Sequence, residues 1–193
     1  RTSLSVEWSP VAAIADQAPG GDYLGYKLYA TDPTNGNVWQ LFADPTSTQR
    51  ILLTDYSKAY ISVDGGNTFS TIITSTSSVY IGGVFWDNAD IYIAANTPDI
   101  SGSGLLWVSN DGGTTFNSEP ATGDFPNDHF FRYMEGVKVG GQVKLYAVTM
   151  FSSFGGLNFT EYWGPTRKVL RLDYGAGNWS SLDGNGLSLV SGG

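Results

Sequence analysis

A pattern of eleven residues occurs twice in this chain, and it limits the possible folds more than any other feature. Residues 59–69 read Ala-Tyr-Ile-Ser-Val-Asp-Gly-Gly-Asn-Thr-Phe, and residues 106–116 read Leu-Trp-Val-Ser-Asn-Asp-Gly-Gly-Thr-Thr-Phe. The two aspartates, Asp64 and Asp111, are 47 positions apart. A weaker third copy at 170–179 keeps an aspartate, Asp173, and the closing aromatic, Trp179, with one extra residue between them. A recurrence at this spacing indicates one supersecondary unit that is used several times.

The segments between the repeats predict strands. The 3.6-residue apolar period of a helix does not persist for two turns anywhere, whereas short runs of β-branched and aromatic residues alternate with glycine-containing turn signals. Each unit contains four such runs, and the repeated pattern lies in the last hairpin. Four strands in about 45 residues is the size of a β-propeller blade. The predicted strands are 26–30, 38–42, 50–54, 58–62, 68–73, 79–85, 90–95, 105–109, 115–117, 132–139, 143–150, 169–172 and 178–182.

The repeated pattern, Ser-x-Asp-x-Gly-x-Thr-Phe, resembles the Asp box, or BNR repeat, of the superfamily of sialidase-like, sortilin-like and xyloglucanase-like β-propellers. The resemblance covers about residues 38–182. It implies an all-β propeller of about three to four four-stranded blades. Because the rings of the superfamily usually have six to eight blades, it also implies that the segment is part of a larger propeller, unless it closes as a four-bladed ring. The matching positions are Ser62, Asp64, Gly66, Thr68 and Phe69, then Ser109, Asp111, Gly113, Thr115 and Phe116, and in the third copy Asp173, Gly175 and Trp179.

The spacing of the copies predicts the division of the chain. Residues 1–37 are expected to form a partial N-terminal blade or lead-in. Residues 38–78 and 79–125 are expected to form one blade each with an Asp box. Residues 126–193 are expected to form a blade with a long insertion and a degenerate box.

The residue types of the pattern predict a structural role. An Asp in a hairpin turn can accept hydrogen bonds from backbone N–H groups a few residues later. Glycine supplies the positive φ of the turn, and the closing aromatic can pack between neighbouring sheets. We therefore expect the motif aspartates to stabilise turns rather than to catalyse a reaction or bind a metal.

Composition excludes several classes of function. The formal net charge is -8 with a pI near 4.4, which argues against a nucleic-acid partner. The absence of cysteine removes thiol catalysis and zinc–thiolate sites, and the single histidine, His129, excludes mechanisms that need two. No apolar run approaches the 18 residues of a membrane-spanning helix. No series of acids at alternate positions predicts a calcium site, so neither a metal nor a cofactor is expected.

Glycoside hydrolysis needs two carboxylates that face each other across a cleft. Most of the acids are aspartates in turn segments, and the two least turn-like acids are Glu135 and Glu161. Glu135 falls in a strand pattern, which allows its side chain to face a central channel. Glu161 falls in a loop segment. These two residues are the catalytic candidates. The Arg-Ile-Pro element of sialidases is missing, because Arg50-Ile51 is followed by Leu52.

A long insertion at residues 152–166 provides the candidate binding residues. Long loops on a rigid scaffold often carry function, and flat aromatic rings can stack on sugars or form a hot spot for a protein partner. The alternative is that these rings cover a neighbouring blade or an interface between subunits. The four aromatic residues are Phe154, Phe159, Tyr162 and Trp163.

The sequence thus favours a non-catalytic propeller module, secreted or at the cell surface, that binds a protein or a glycan. A periplasmic location is the alternative compartment. The remainder of a propeller, from the same or another chain, is an expected partner. The alternative function is a fragment of a secreted glycoside hydrolase, either xyloglucanase-like or sialidase-like.

Overall fold

A computed structural model describes residues 38–76, 78–97, 104–127, 129–151 and 168–183. All regular structure in this part of the chain is β-strand, arranged in three four-stranded antiparallel sheets. The predicted fold class, an all-β fold of four-stranded propeller-type blades, is confirmed. The strands are β1 (Gln40–Ala43), β2 (Ile51–Thr54), β3 (Lys58–Ser62), β4 (Ser70–Thr74), β5 (Tyr80–Asp87), β6 (Asp90–Asn96), β7 (Leu105–Ser109), β8 (Asn117–Pro120), β9 (His129–Val139), β10 (Gln142–Phe151), β11 (Val169–Asp173) and β12 (Ser180–Ser181).

Each sheet is a meander in which strands that follow each other in the chain are also neighbours in space. The orders are β1-β2-β3-β4, β5-β6-β7-β8 and β12-β11-β10-β9. Short connections account for much of this order, because a turn of a few residues can only join adjacent strands. β10 and β11 are also neighbours, although residues 152–168 separate them in the chain. The chain up to Thr74 forms one compact unit with the first sheet, and the chain from Ser75 forms a second unit with the other two sheets.

In the first unit, the central strands β2 and β3 are buried along their length. Leu53 and Tyr60 lie opposite each other in the β2–β3 register and form a small core, against which Val38 and Phe69 pack. The edge strand β1 alternates between half-buried and exposed residues. This alternation follows from the period of two in a strand that is covered on one face only.

In the second unit, one face of sheet β5–β8 packs against one face of sheet β9–β12. The close approach of β9 to β5 uses glycine, since a Cβ on Gly83 would overlap the carbonyl oxygen of Met134. The shared core therefore requires a residue without a side chain at this crossing. The core consists of Tyr92, Ala94, Leu106, Val108, Ala121, Phe125, Phe131, Met134, Val143, Leu145, Ala147, Leu170, Leu172 and Trp179.

Two predicted strands are displaced in the structure. The strand predicted at 115–117 is instead β8, Asn117–Pro120, because Thr115 belongs to the turn, where both its N–H and its hydroxyl bind Asp111. The strand predicted at 178–182 is reduced to Ser180–Ser181. The strand predicted at 26–30 lies outside the described residues.

Among the described residues, no helix of a length and apolarity that could cross a membrane is found.

Candidate functional site

The turn between β3 and β4, residues 62–69, is closed by the side chains of the repeated pattern. The Asp64 carboxylate accepts hydrogen bonds from the Ser62 hydroxyl at 2.8 Å, the Thr68 N–H at 2.9 Å and the Thr68 hydroxyl at 2.6 Å. The Ser62 oxygen in turn accepts the Gly66 N–H at 2.8 Å. One aspartate thus holds both sides of the turn together.

The turn between β7 and β8, residues 109–116, repeats this network. Asp111 accepts the Ser109 hydroxyl at 2.8 Å, the Thr115 N–H at 2.9 Å and the Thr115 hydroxyl at 2.6 Å. It also accepts the Thr114 N–H at 3.0 Å, and Ser109 accepts the Gly113 N–H at 2.9 Å. The two turns therefore have the same geometry because they have the same polar residues at the same spacing.

These hydrogen bonds stabilise the charged form of both aspartates. The side-chain hydrogen bond from Thr68 is the largest cause that lowers the pKa of Asp64 from its ordinary value, and Thr115 is the corresponding cause for Asp111. A general acid needs a pKa near the working pH, so a lowered pKa is the wrong direction for that role. The arrangement suits turn stabilisation, as the residue types predict.

All three hairpins also bind the neighbouring turn or strand through the same backbone position. The N–H that follows each motif aspartate donates to a carbonyl 2.9 Å away. Gly65 donates to Gln49, Gly112 to Ala89, and Tyr174 to Val143. Both glycines have a positive φ, 75° and 77°, which favours glycine at this position.

The third hairpin keeps this backbone contact but lacks the side-chain network of the first two. Asp173 pairs with Arg171, whose Nε lies 3.2 Å from Oδ1. Arg171 occupies the position where the first two copies have serine. Asp173 therefore forms an ion pair on the sheet, whereas Asp64 and Asp111 close their turns.

The closing aromatics occupy different environments. Phe69 and Phe116 are both half-buried, and Phe69 packs beside Leu53 and Tyr60 of its own sheet. Trp179 is buried in the shared core of the second unit, with ring centroids 5.4 Å from Phe131 and 6.2 Å from Phe125. Trp179 thus belongs to the core that the two sheets of the second unit share.

The face of sheet β9–β12 that points away from the shared core, here called the open face, carries exposed aromatic side chains. Tyr133 is 56% exposed, Val137 42% and Tyr146 38%. Glu135 is exposed between Tyr133 and Val137 on β9, and it lies directly opposite Tyr146 on β10. The register places Arg171 on the far side of Tyr146. Glu135 therefore has an aromatic, rather than a second carboxylate, as its cross-strand neighbour.

Arg132 lies at the edge of the open face, next to a bulge in β9. Its Cζ is 4.6 Å from the centroid of the Tyr133 ring, and its Nη1 donates to the Tyr80 hydroxyl at 2.8 Å. The register of β9 and β10 shifts between Val148, which lies opposite Tyr133, and Thr149, which lies opposite Phe131, so Arg132 is the extra residue of the bulge. The bulge thereby directs an arginine onto an exposed tyrosine ring, a cation–π arrangement.

His129 is 2% exposed, and its Nδ1 lies 2.7 Å from the Thr149 hydroxyl. His129 is thus packed inside the second unit and hydrogen-bonded to β10. In the described ranges there is no group of three or more His, Asp or Glu side chains that could hold a metal ion.

Five predicted site residues fall outside the described residues. These are the weak catalytic candidate Glu161 and the binding candidates Phe154, Phe159, Tyr162 and Trp163. Their predicted roles stay predictions. The open face was not predicted as a site, although the spacing of Tyr133, Glu135 and Val137 indicates that these side chains share one face of a strand.

No protein-family model and no curated protein sequence matches this chain. Among solved structures, it is similar to YCF48 bound to D1 peptide, at 15% identity with a TM-score of 0.49, over 78% of this chain and 40% of that one. It is also similar to an ancestral GH74 enzyme, at 13% identity with a TM-score of 0.41, over 79% of this chain and 26% of that one. The chain thus spans less than half the length of both structures.

Proposed function

We propose that this chain is a non-catalytic β-propeller module that binds a partner protein through the open face of sheet β9–β12. The observation that carries the proposal is the group of exposed aromatic and aliphatic side chains at the centre of that face, Tyr133, Val137 and Tyr146. Tyrosine and arginine are the residue types that most often dominate the energy of protein interfaces. Glu135 and Arg171 lie on either side of Tyr146 and Arg132 lies beside Tyr133, so the face combines aromatic and aliphatic groups with charges of both signs.

The lack of suitable chemistry in the described residues supports a non-catalytic role. Asp64 and Asp111 are saturated by hydrogen bonds within their turns. Glu135 is flanked by tyrosines and valine on its face, whereas a glycosidase places two carboxylates across a cleft. A flat face with aromatic side chains is better suited to contact with another surface than to enclosing a substrate.

A propeller blade is expected to pack against another sheet, and the open face is suited to such a contact. Its opposite face already packs on sheet β5–β8 through Leu145, Ala147 and Leu170. A sheet of the partner protein would bury Tyr146 and the half-buried Val148 and Val169 in the same manner. The partner protein is therefore proposed to supply apolar groups for the aromatic and aliphatic side chains and polar groups for Glu135 and Arg171.

Site-specific cross-linking tests this proposal. A photo-reactive phenylalanine analogue placed at Tyr146 should cross-link one partner protein, and the purified partner should bind the unmodified chain. The double variant Tyr133→Ala/Tyr146→Ala should bind at least about 30-fold more weakly, since interface hot spots contribute about 2 kcal/mol or more. Val63→Ala, which removes an exposed side chain of the first unit, is the matched control and should bind normally.

Two results would contradict the proposal. Equal binding by the double variant and the control would exclude the open face as the interface. Turnover of xyloglucan or of sialylated substrates by the intact chain would exclude a non-catalytic module and would favour the hydrolase alternative. A glycan array run in parallel distinguishes a carbohydrate ligand from a protein partner.

We also propose that the module acts outside the cell or on its surface. The many surface proteins that carry this motif support the assignment, as implied by the resemblance. Protease treatment of intact source cells tests it, because a surface protein should be digested before the cells are lysed. Protection of the chain until lysis would contradict an exposed location.

A further inference from the structure

The open face of sheet β9–β12 carries two opposite charges on either side of one tyrosine. Tyr146 lies on β10, with Glu135 opposite it on β9 and Arg171 opposite it on β11. Neighbouring strands are about 4.8 Å apart, so the acidic and the basic residue flank Tyr146 at equal spacing. The row therefore reads negative, aromatic, positive across the sheet.

Both charged side chains can bind a further group. Glu135 is exposed and makes no hydrogen bond or ion pair within the part of the chain that the structure describes. The Arg171 side chain is 40% exposed, and its Nε and Nη2 contact the Asp173 carboxylate at 3.2 Å and 3.4 Å. A guanidinium has five N–H groups, so Arg171 retains N–H groups for a second carboxylate.

A second copy of the same face is complementary to this row. When two copies pack face to face around a two-fold axis that runs along β10, β9 of one copy lies over β11 of the other. Glu135 of each copy then faces Arg171 of the other, so two identical ion pairs form at once, as in an isologous interface. A two-fold axis across the strands would instead place each of these residues over its own copy, and like charges in contact oppose binding.

The neighbouring row of the open face fits the same axis. Tyr133, Val148 and Val169 lie side by side on β9, β10 and β11. Around the axis, Tyr133 of one copy lies over Val169 of the other, and Val148 lies over its own copy. Stacked sheets are about 10 Å apart and nearly aligned, a distance that side chains of this size can fill. The second row therefore adds apolar contacts beside the ion pairs.

Lys144 is the one unfavourable residue of this arrangement. It lies on β10, close to the axis, so the two copies of its ammonium group approach each other. Asp173 is its cross-strand neighbour on β11, and the flexible lysine stem allows the ammonium to turn toward that carboxylate. Removal of this charge is therefore expected to strengthen pairing between two copies.

We propose that the open face binds the open face of a second copy of this chain, through two ion pairs between Glu135 and Arg171 around the two Tyr146 side chains. This inference rests on the function proposed above, because it uses the same face, and it identifies the partner protein as the chain itself. The product is a two-fold symmetric dimer in which tyrosine and arginine, the common hot-spot residues of interfaces, lie at the centre.

Sedimentation equilibrium of the full chain tests this pairing. The unmodified chain should show a concentration-dependent equilibrium between monomer and dimer. Glu135→Arg and Arg171→Glu each introduce two like-charge contacts into the dimer, so each variant alone should dimerise at least about tenfold more weakly. Glu119→Arg makes the same change of charge at an exposed position on β8, outside the open face, and should dimerise as the unmodified chain does.

An equimolar mixture of Glu135→Arg and Arg171→Glu should restore the dimer. One chain then carries two arginines in the row and the other carries two glutamates, so both ion pairs form again between the chains. Native mass spectrometry with one isotope-labelled variant should identify this dimer as a heterodimer. A variant that does not fold cannot be rescued by mixing, so recovery separates lost pairing from lost folding. Lys144→Ala should strengthen dimerisation by about three- to tenfold, because it removes repulsion near the axis.

Several outcomes would overturn the proposal. A chain that stays monomeric up to its solubility limit would do so, as would a mixture that recovers no dimer although circular dichroism shows both variants folded. Weaker dimerisation of Lys144→Ala would contradict the axis along β10. A monomeric chain whose photo-reactive analogue at Tyr146 cross-links a different protein would exclude the second copy as partner, yet it would keep the open face as the binding site. The two proposals can therefore fail separately.

Discussion

Hydroxyl groups two and four residues away from a carboxylate determine the properties of the repeated hairpins. Ser109 is 1% exposed, and its oxygen is the acceptor for the buried Gly113 N–H while its hydrogen is donated to Asp111. Ser109 thus stabilises the hairpin by connecting the Asp111 carboxylate with the backbone of Gly113. The same chain of contacts occurs around Ser62.

Ser109→Ala should lower the free energy of unfolding by about 1–3 kcal/mol, because the Gly113 N–H is left buried without an acceptor. Urea denaturation followed by tryptophan fluorescence measures this change. Ser118→Ala, at an exposed position on the adjacent strand β8, is the control and should change stability by less than about 0.5 kcal/mol. Similar values for both variants would contradict a specific role of the Ser109 hydroxyl.

The motif aspartates also predict a dependence of stability on pH. The folded-state pKa of Asp64 and of Asp111 lies below the ordinary value of 3.8, chiefly because of the hydroxyls of Thr68 and Thr115. A group with a lowered folded pKa contributes stability above its unfolded pKa and loses it as the pH falls toward the folded pKa. Asp111→Asn should therefore be less stable than the unmodified chain at pH 7, and the difference should shrink below about pH 4. A constant difference from pH 7 to pH 2.5 would contradict this.

Between elements, a single amide side chain connects two sheets of the second unit. Asn96, at the end of β6 and 2% exposed, donates from Nδ2 to the Phe131 carbonyl at 2.8 Å and accepts the Phe131 N–H at 2.9 Å. The Asn96 side-chain amide thus exchanges two hydrogen bonds with Phe131, as the backbone of a neighbouring strand would. The contact supplies the two hydrogen bonds that Phe131 requires at the point where β9 reaches the core.

Asn96→Ala should lower the free energy of unfolding by roughly 2–5 kcal/mol, since it leaves both a buried N–H and a buried carbonyl without partners. Thermal unfolding by calorimetry measures the loss. Asn110→Ala is the matched control, because Asn110 is exposed and makes one hydrogen bond, 3.1 Å, to Asp90. Equal losses for the two variants would show that the connection between the sheets does not depend on Asn96.

The close approach of the β5 and β9 backbones leads to a second prediction about strand packing. Gly83→Ala should prevent the present packing, because its Cβ would overlap the Met134 carbonyl, which belongs to the backbone and cannot rotate away. Gly140→Ala has open space around the new Cβ, but its φ of 59° is unfavourable for alanine, so we expect about 1 kcal/mol of destabilisation. Hydrogen exchange should show loss of protection in β5 and β9 for Gly83→Ala alone.

On the scale of the whole molecule, the charge is distributed unevenly. The formal net charge is -8, yet β9 to β12 and their described flanks, residues 129–151 and 168–183, contain five cations and three carboxylates. The cations are Arg132, Lys138, Lys144, Lys168 and Arg171. Three of these cations form ion pairs, Lys138 with Asp87, Lys168 with Asp183 and Arg171 with Asp173. The acidity of the rest of the chain favours solubility at neutral pH.

The pI near 4.4 predicts the conditions of lowest solubility. Light scattering should show association that is greatest between about pH 4 and 5 and smallest above pH 7, since self-repulsion disappears near zero net charge. A scattering maximum at neutral pH would indicate that the open face drives self-association instead.

The sequence by itself determined the features that depend on neighbouring residues. The contacts from Ser62 to Asp64 and from Asp64 to Thr68 span two and four positions, so the pattern Ser-x-Asp-x-Gly-x-Thr specifies the turn wherever it occurs. The four-strand unit follows from these turns and from the β-branched runs between them, and two of the predicted strands, β3 and β7, have the predicted boundaries.

The tertiary structure alone decided what depends on distant residues. Alternation along β9 shows that Tyr133 and Glu135 share a face, but both faces of this strand carry apolar residues, so only the packing against sheet β5–β8 shows which face is open. The pairs Arg132–Tyr80 and Asn96–Phe131 are 52 and 35 positions apart. The contact between the rings of Trp39 and Tyr56 likewise exists only through the register of β1 on β2. A local pattern cannot specify such contacts, because they depend on how the completed strands and sheets pair and pack.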